Sequence, residues 1–126
     1  MAHDINISGL QKSYQNKSVL GPLDLALEAG NITAIIGRSG CGKTTLLRCL
    51  GGLEQPSKGS ITIGDGHLAA RDIGYVFQEP RLMPWLTVEK NAWFGLAHAS
   101  SSERRQAAVE ALGVVGLTHA AKLLPK

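Results

Sequence analysis

The stretch LDLALEAG alternates apolar Leu23, Leu25 and Leu27 with Asp24, Ala26 and Glu28. This is the period of a strand with one wet face, and Gly30 ends it. INISGL, residues 5–10, predicts a second and weaker strand of the same kind. NITAIIG has a different pattern. Ile32, Ala34, Ile35 and Ile36 put apolar side chains on both faces, as in a strand buried on both sides of a parallel sheet. From Lys43 the spacing becomes helical, with Leu46, Leu50 and Leu53 on one face and Gly51 and Gly52 as the stop. PSKGSITIGDG then predicts a turn into a strand, and DIGYVFQ a short strand ending near Gln78.

After Gln78 the pattern is helical. EPRLMPW is bracketed by Pro80 and Pro84, and TVEKNAWFGLAHA, opening at Thr87, is apolar through Trp93, Phe94 and Leu96. Ser100 and Glu103 have capping-box spacing ahead of Ala108, Val109, Leu112 and Val115, with Gly116 at the stop. The expectation is an α/β portion over residues 1–78 and a small helical portion over residues 79–126. The chain shows no internal repeat.

Composition narrows the classes. The 126 residues are 44% hydrophobic, enough for one globular domain with a core. A net charge of +3, from 13 basic and 10 acidic residues, suits an anionic ligand but lacks the dense Lys/Arg blocks of nucleic-acid binders. No apolar run approaches the roughly 18 residues of a membrane span. The amino terminus carries neither a cationic nor an apolar signal region, so a cytoplasmic location is expected. Cys41 and Cys49 are too far apart along a helix for a disulfide, and free thiols fit a reducing compartment. His3, His67, His98 and His119 show no metal-ligand spacing. Arg104 and Arg105 read as the solvated face of a helix.

The chemistry is concentrated in GRSGCGKT, residues 37–44. Gly37, Gly42, Lys43 and Thr44 satisfy G-x-x-x-x-G-K-[ST], the phosphate-binding P-loop pattern. Glycines let the backbone wrap so that successive N–H groups point at a phosphate, and the amino end of the following helix adds a favourable field. Lys43 can bridge β- and γ-phosphate oxygens, and the Thr44 hydroxyl can supply one ligand to Mg²⁺. Composition alone produces such a match about one time in a hundred. Here it falls where an apolar strand meets a helix, the context the motif requires.

With these residues in place, the chain resembles the ATP-binding subunits of ABC transporters over essentially its whole length. GRSGCGKTTLLRCLGGLEQPSKGSI resembles that family's Walker A segment and its continuation into the next strand. The resemblance implies the P-loop NTPase fold of ABC ATPases and nucleotide contacts from Gly37, Arg38, Ser39, Gly40, Cys41, Gly42, Lys43, Thr44 and Thr45. It also implies that Tyr14, in LQKSYQNKSVL, stacks on adenine; by spacing alone Tyr14 is equally a core or surface tyrosine. Gln78, in GYVFQEP, matches the Q-loop glutamine that reaches Mg²⁺ and the attacking water, although a lone glutamine after a strand is ordinarily a solvated loop residue. Lys43 and Gln78 are thus the catalytic candidates, and Thr44 and Gln78 the metal candidates. EPRLMPW resembles importers of nitrate, sulfonate and taurine, where this region borders the groove for the permease's coupling helix. Its plainer reading is a proline-stiffened surface loop.

The same resemblance implies ATP and Mg²⁺ as ligands and integral-membrane permease subunits as partners. It further implies a second ATP-binding subunit in a homodimer, an indirect solute-binding protein, and a place on the inner face of the membrane. An LSGGQ-type signature, a Walker B strand and a switch histidine do not occur in the sequence, which stops at LLPK just where the signature would follow. The expectation is therefore a truncated sequence of a longer ATPase, able to bind nucleotide better than to hydrolyse it. A non-hydrolytic nucleotide-binding or regulatory module is the alternative. A P-loop kinase or GTPase is disfavoured, since lid arginines with an acceptor site and an N-K-x-D motif are both missing.

Overall fold

The computed structural model describes residues 2–66, 73–96 and 98–126. The described residues fall into two compact units, Met1–Val76 and Phe77–Lys126. In the first, three strands, β1 (Ile5–Tyr14), β2 (Lys17–Leu27) and β3 (Lys58–Ile63), form an antiparallel sheet in the order β2-β1-β3. A helix, α1 (Lys43–Leu50), joins them.

β1 and β2 make a hairpin closed by Gln15 and Asn16, both at positive φ (49° and 63°) as a type I′ turn requires. Ile5 pairs with Leu27 and Ile7 with Leu25, and then the register slips between Ile7 and Leu10. The slip is a bulge, and it explains a break in the sequence alternation: Ile7 and Leu10 differ by an odd number of residues, yet both are buried on one core. The Gly9 N–H freed at the bulge donates to Asp24 Oδ1 at 2.7 Å. Leu46 and Cys49 of α1 complete the core, with Leu20, Leu23, Leu25, Ile35, Leu50 and Ile61 packed around it. Each fully buried aliphatic side chain here contributes about 1.5–3 kcal/mol. Burial pushes the Cys49 thiol above its ordinary pKa, and the nearby Lys12 ammonium opposes the rise.

Two expected strands do not form. Residues 32–36 make no ladder: Ile35 reaches the core, but Ile32 and Ile36 are 102% and 92% exposed. Of DIGYVFQ, Asp72 lies outside the described residues, and residues 73–77 form no strand, with Val76 96% exposed. The cause is common to both. A strand apolar on both faces is stabilised by ladder partners on either side, and none of the described strands forms a ladder with these segments. Leu53, expected on the apolar face of α1, lies past its end and is half exposed.

The second unit contains α2 (Val88–Trp93), α3 (Ser101–Val114) and a 3₁₀ turn at Thr118–Ala120. α2 is shorter than its sequence suggests and gives way to a turn at Phe94 and Gly95; Ala97 lies outside the described residues. Thr87 caps α2 by accepting from the Lys90 N–H. The next orphan donors, the Val88 and Glu89 N–H groups, are satisfied at 2.9 Å by the carbonyls of Leu123 and Ala121. α3 opens with the expected capping box, Ser100 and Glu103 each accepting from the other's backbone N–H. It closes in a Schellman pattern, Leu117 N–H to Leu112 O and Gly116 N–H to Gly113 O.

On α3, Arg105 is exposed, as expected of a solvated face, and it also pairs at 3.2 Å with Glu89, a carboxylate buried on α2 that Lys122 holds at 2.6 Å. The Lys122 hydrogen bond, with the charges of Lys122 and Arg105, keeps the Glu89 carboxyl below its ordinary pKa. Arg104 donates through Nε to the Ala99 carbonyl at 2.8 Å.

Candidate nucleotide-binding site

The loop over residues 37–42 leads straight into α1. Gly40 (φ 79°) and Gly42 (φ 103°) occupy the left-handed region, and the Cys41 N–H closes a turn on the Arg38 carbonyl at 3.2 Å. Gly42 is also sterically pinned, because a Cβ there would lie 2.6 Å from the Val19 carbonyl oxygen of β2. The hairpin therefore fixes where the loop ends and the helix begins.

Lys43 folds back over the loop. Its ammonium donates to the Gly37 and Arg38 carbonyls, each at 2.6 Å, and approaches Cys41 Sγ at 3.5 Å. A Cβ on Gly37 would sit 2.7 Å from that sulfur, so the loop curls tightly around the lysine. Arg38, Ser39, Gly40 and Cys41 are exposed, Lys43 and Thr45 are half-buried, and the Thr44 side chain is exposed on the first turn of α1. That first turn has no acidic residue and no side-chain cap. Its N–H donors have no intrahelical acceptors, and among the described residues no side chain caps them and no acid in that turn repels an anion. The donor set fits a polyphosphate, and the exposed Thr44 hydroxyl fits a hard cation bound beside it.

Tyr14 ends β1 at the hairpin turn, paired with Lys17 and 42% exposed. The same hairpin carries Val19 and Leu20, which abut Gly42, so Tyr14 and the loop share one rigid support. Gln78 lies in the second unit, exposed, in a bend.

Two side chains that the sequence reading passed over organise these neighbourhoods. Lys12 places its ammonium 5.0 Å from the centroid of the Tyr14 ring. The signal for it was a lysine two positions before the tyrosine on the same strand. Asn91 braces the loop before α2: its Nδ2 donates to the carbonyls of Met83, Leu86 and Thr87, and its Oδ1 accepts from the Met83 N–H. Only its place one turn into a predicted helix hinted at this.

An α/β scaffold whose glycine-rich loop wraps a lysine at the open amino end of a helix defines a P-loop nucleotide-binding protein. The family model described as ABC transporter matches residues 20–125, and the chain belongs to that family. It is similar to aliphatic sulfonates import ATP-binding protein SsuB 1 of Mesorhizobium japonicum, 46% identical over 121 residues, which are 93% of this chain and 44% of that protein. It is similar also to SsuB of Rhodopseudomonas palustris strain BisA53, 46% identical over 115 residues, 90% of this chain and 41% of that protein. Among solved structures, a dimeric ATP-binding cassette in a post-hydrolysis state, bound to ADP and Pi, matches with a TM-score of 0.81 at 29% identity. That match covers 96% of this chain and 61% of the cassette. The chain thus spans less than half the length of the curated relatives it matches.

Proposed function

We propose that the protein is the ATP-binding, energy-coupling subunit of an ABC importer, and that its transport system takes up aliphatic sulfonates or chemically similar anions. The observation that carries the nucleotide-binding part is Lys43, its ammonium held by two carbonyls of its own loop at the open end of α1. The names of the relatives support the importer part.

On this reading, the backbone N–H groups of residues 37–45 bind phosphate oxygens, with Gly37, Arg38, Ser39, Gly40, Cys41 and Gly42 forming the curl and Thr44 and Thr45 the first helical turn. Lys43 leaves the Gly37 and Arg38 carbonyls for β- and γ-phosphate oxygens, exchanging neutral acceptors for anionic ones, whose charge adds a direct attraction for the ammonium. Tyr14 stacks on adenine. Magnesium, held through the Thr44 hydroxyl and the Gln78 amide oxygen, would neutralise charge on the β- and γ-phosphates. Gln78 orients the attacking water with the other end of its amide. Residues 1–78 serve as the nucleotide-binding portion, and residues 79–126 present EPRLMPW to a permease on the cytoplasmic face of the membrane. A second ATP-binding subunit completes each site, and a solute-binding protein delivers cargo from the far side.

Titrating the chain with MgATP tests the core of this proposal. Lys43→Ala is expected to weaken binding about 10- to 100-fold, the loss of one charge-assisted contact. Binding unaffected by Lys43→Ala removes the phosphate-loop assignment. In a host lacking its own sulfonate-importer ATPase, growth on an aliphatic sulfonate as sole sulfur source tests the coupling role. Tight binding without phosphate release or growth indicates a regulatory nucleotide-binding module instead.

A further inference from the structure

Lys12 is unusually constrained for a lysine near a strand end. Its side chain is 14% exposed, its ammonium donates to the Gln55 carbonyl at 2.7 Å, and it pairs with Glu54 Oε2 at 3.3 Å. Both acceptors belong to the segment that closes α1, where the Leu53 and Glu54 N–H groups share the Arg48 carbonyl. That segment is zipped onto β1. The Ser57 N–H donates to the Gln11 carbonyl at 2.8 Å, and Ser57 Oγ accepts from the Ser13 N–H at 3.0 Å. The ammonium is therefore held in place independently of Tyr14, and it lies 5.0 Å from that ring's centroid.

A fixed cation over one face of a tyrosine attracts the π-electron density and restricts the ring's rotation. Tyr14 needs such a restraint, since it sits at a hairpin end with 42% of its surface exposed. With Lys12 over one face, the ring is set for a planar partner on the opposite one, and the ordering cost is met before that partner arrives.

We propose that Lys12 is a positioning residue for the nucleotide base, acting through Tyr14. This inference rests on the reading that Tyr14 stacks on adenine. It also gives α1 a role at both ends: its first turn faces the phosphates, and the segment after its last turn anchors the lysine behind the base-stacking ring.

The test compares MgATP with magnesium tripolyphosphate, which offers the phosphates without a base, on the full chain. Lys12→Met is expected to weaken ATP binding about three- to tenfold while leaving tripolyphosphate within about twofold. Lys12→Arg, which keeps a cation that can cover the ring, should restore the ATP preference. In a Tyr14→Ala background, Lys12→Met should have no further effect on ATP. Equal weakening of both ligands, no weakening of either, or full additivity with Tyr14→Ala overturns the inference. If Tyr14→Ala itself leaves the ratio of the two affinities unchanged, the stacking reading fails, a result distinct from failure of the lysine alone. Should Lys12→Met not fold, Glu54→Gln loosens the anchor while keeping the ammonium, and the same affinity ratio is read: a fall towards tripolyphosphate supports the inference and an unchanged ratio overturns it.

Discussion

Gly40 and Gly42 form a matched pair for separating two costs within one loop. Both lie at positive φ, 79° and 103°, so alanine at either position carries a backbone penalty of about 1–2 kcal/mol. They differ in what a Cβ would meet. At Gly40 there is nothing within 4 Å, whereas at Gly42 the Val19 carbonyl oxygen is 2.6 Å away and Leu20 Cδ1 3.3 Å. The oxygen is backbone of β2 rather than the end of a flexible side chain, so the loop or the hairpin must shift, at an overpacking cost of about 1–3 kcal/mol. Gly40→Ala is therefore expected to cost about 1–2 kcal/mol and Gly42→Ala about 2–5 kcal/mol. In urea, with a slope of about 1–2 kcal/mol per molar, the midpoints should fall by about 1 M and about 2 M respectively. Far-UV circular dichroism measures both, and hydrogen exchange at the Ile7 and Leu10 amides reports whether the loss reaches the sheet. Equal losses for the two variants would refute the claim that the hairpin pins the start of α1.

Other perturbations probe the second unit. Asn91→Ala removes one accepted bond and two N–H donors shared among three carbonyls, and should destabilise the unit by about 2–3 kcal/mol in denaturant titrations followed by Trp85 and Trp93 fluorescence. Asn91→Asp should not rescue it, because a carboxylate would face the carbonyls of Met83, Leu86 and Thr87. Glu89 has its carboxyl pKa lowered in the folded chain, so its contribution is complete above the ordinary value of 4.5 and is lost as the pH falls through the lower folded value. Thermal unfolding measured down that acid range should therefore decline less steeply in Glu89→Gln, which starts from lower stability at neutral pH.

How much the sequence reveals depends on whether a feature is local. The Ser100 capping box, the stop at Gly116 and the wet-faced strand over residues 23–27 need only neighbours a few residues away, and all three are present. The P-loop is local too, since its glycines and lysine interact within eight consecutive residues. The two-faced stretch over residues 32–36 is the opposite case. Its pattern predicts burial on both sides, but Ile32 and Ile36 are exposed, and none of the described strands forms a ladder with the segment. The bulge at Gly9 was hidden for a related reason: an extra residue shows only once the partner strand defines the register. Lys12 and Glu89 were missed because their partners lie 42 and 33 residues away, at Glu54 and Lys122, and charge patterning along one element cannot pair groups at that range.

The grip of Lys43 on its own loop bears on how any substitution there is interpreted. The side chain that would meet the phosphates is also the peg around which the Gly37 and Arg38 carbonyls are wound. Removing it withdraws a charge and slackens the winding together, so an alanine variant reports their sum. A polyphosphate can take the peg because it offers charged oxygens in place of neutral ones. On the proposed reading, a ligand that draws the lysine off those two carbonyls also loosens the winding the lysine had been keeping.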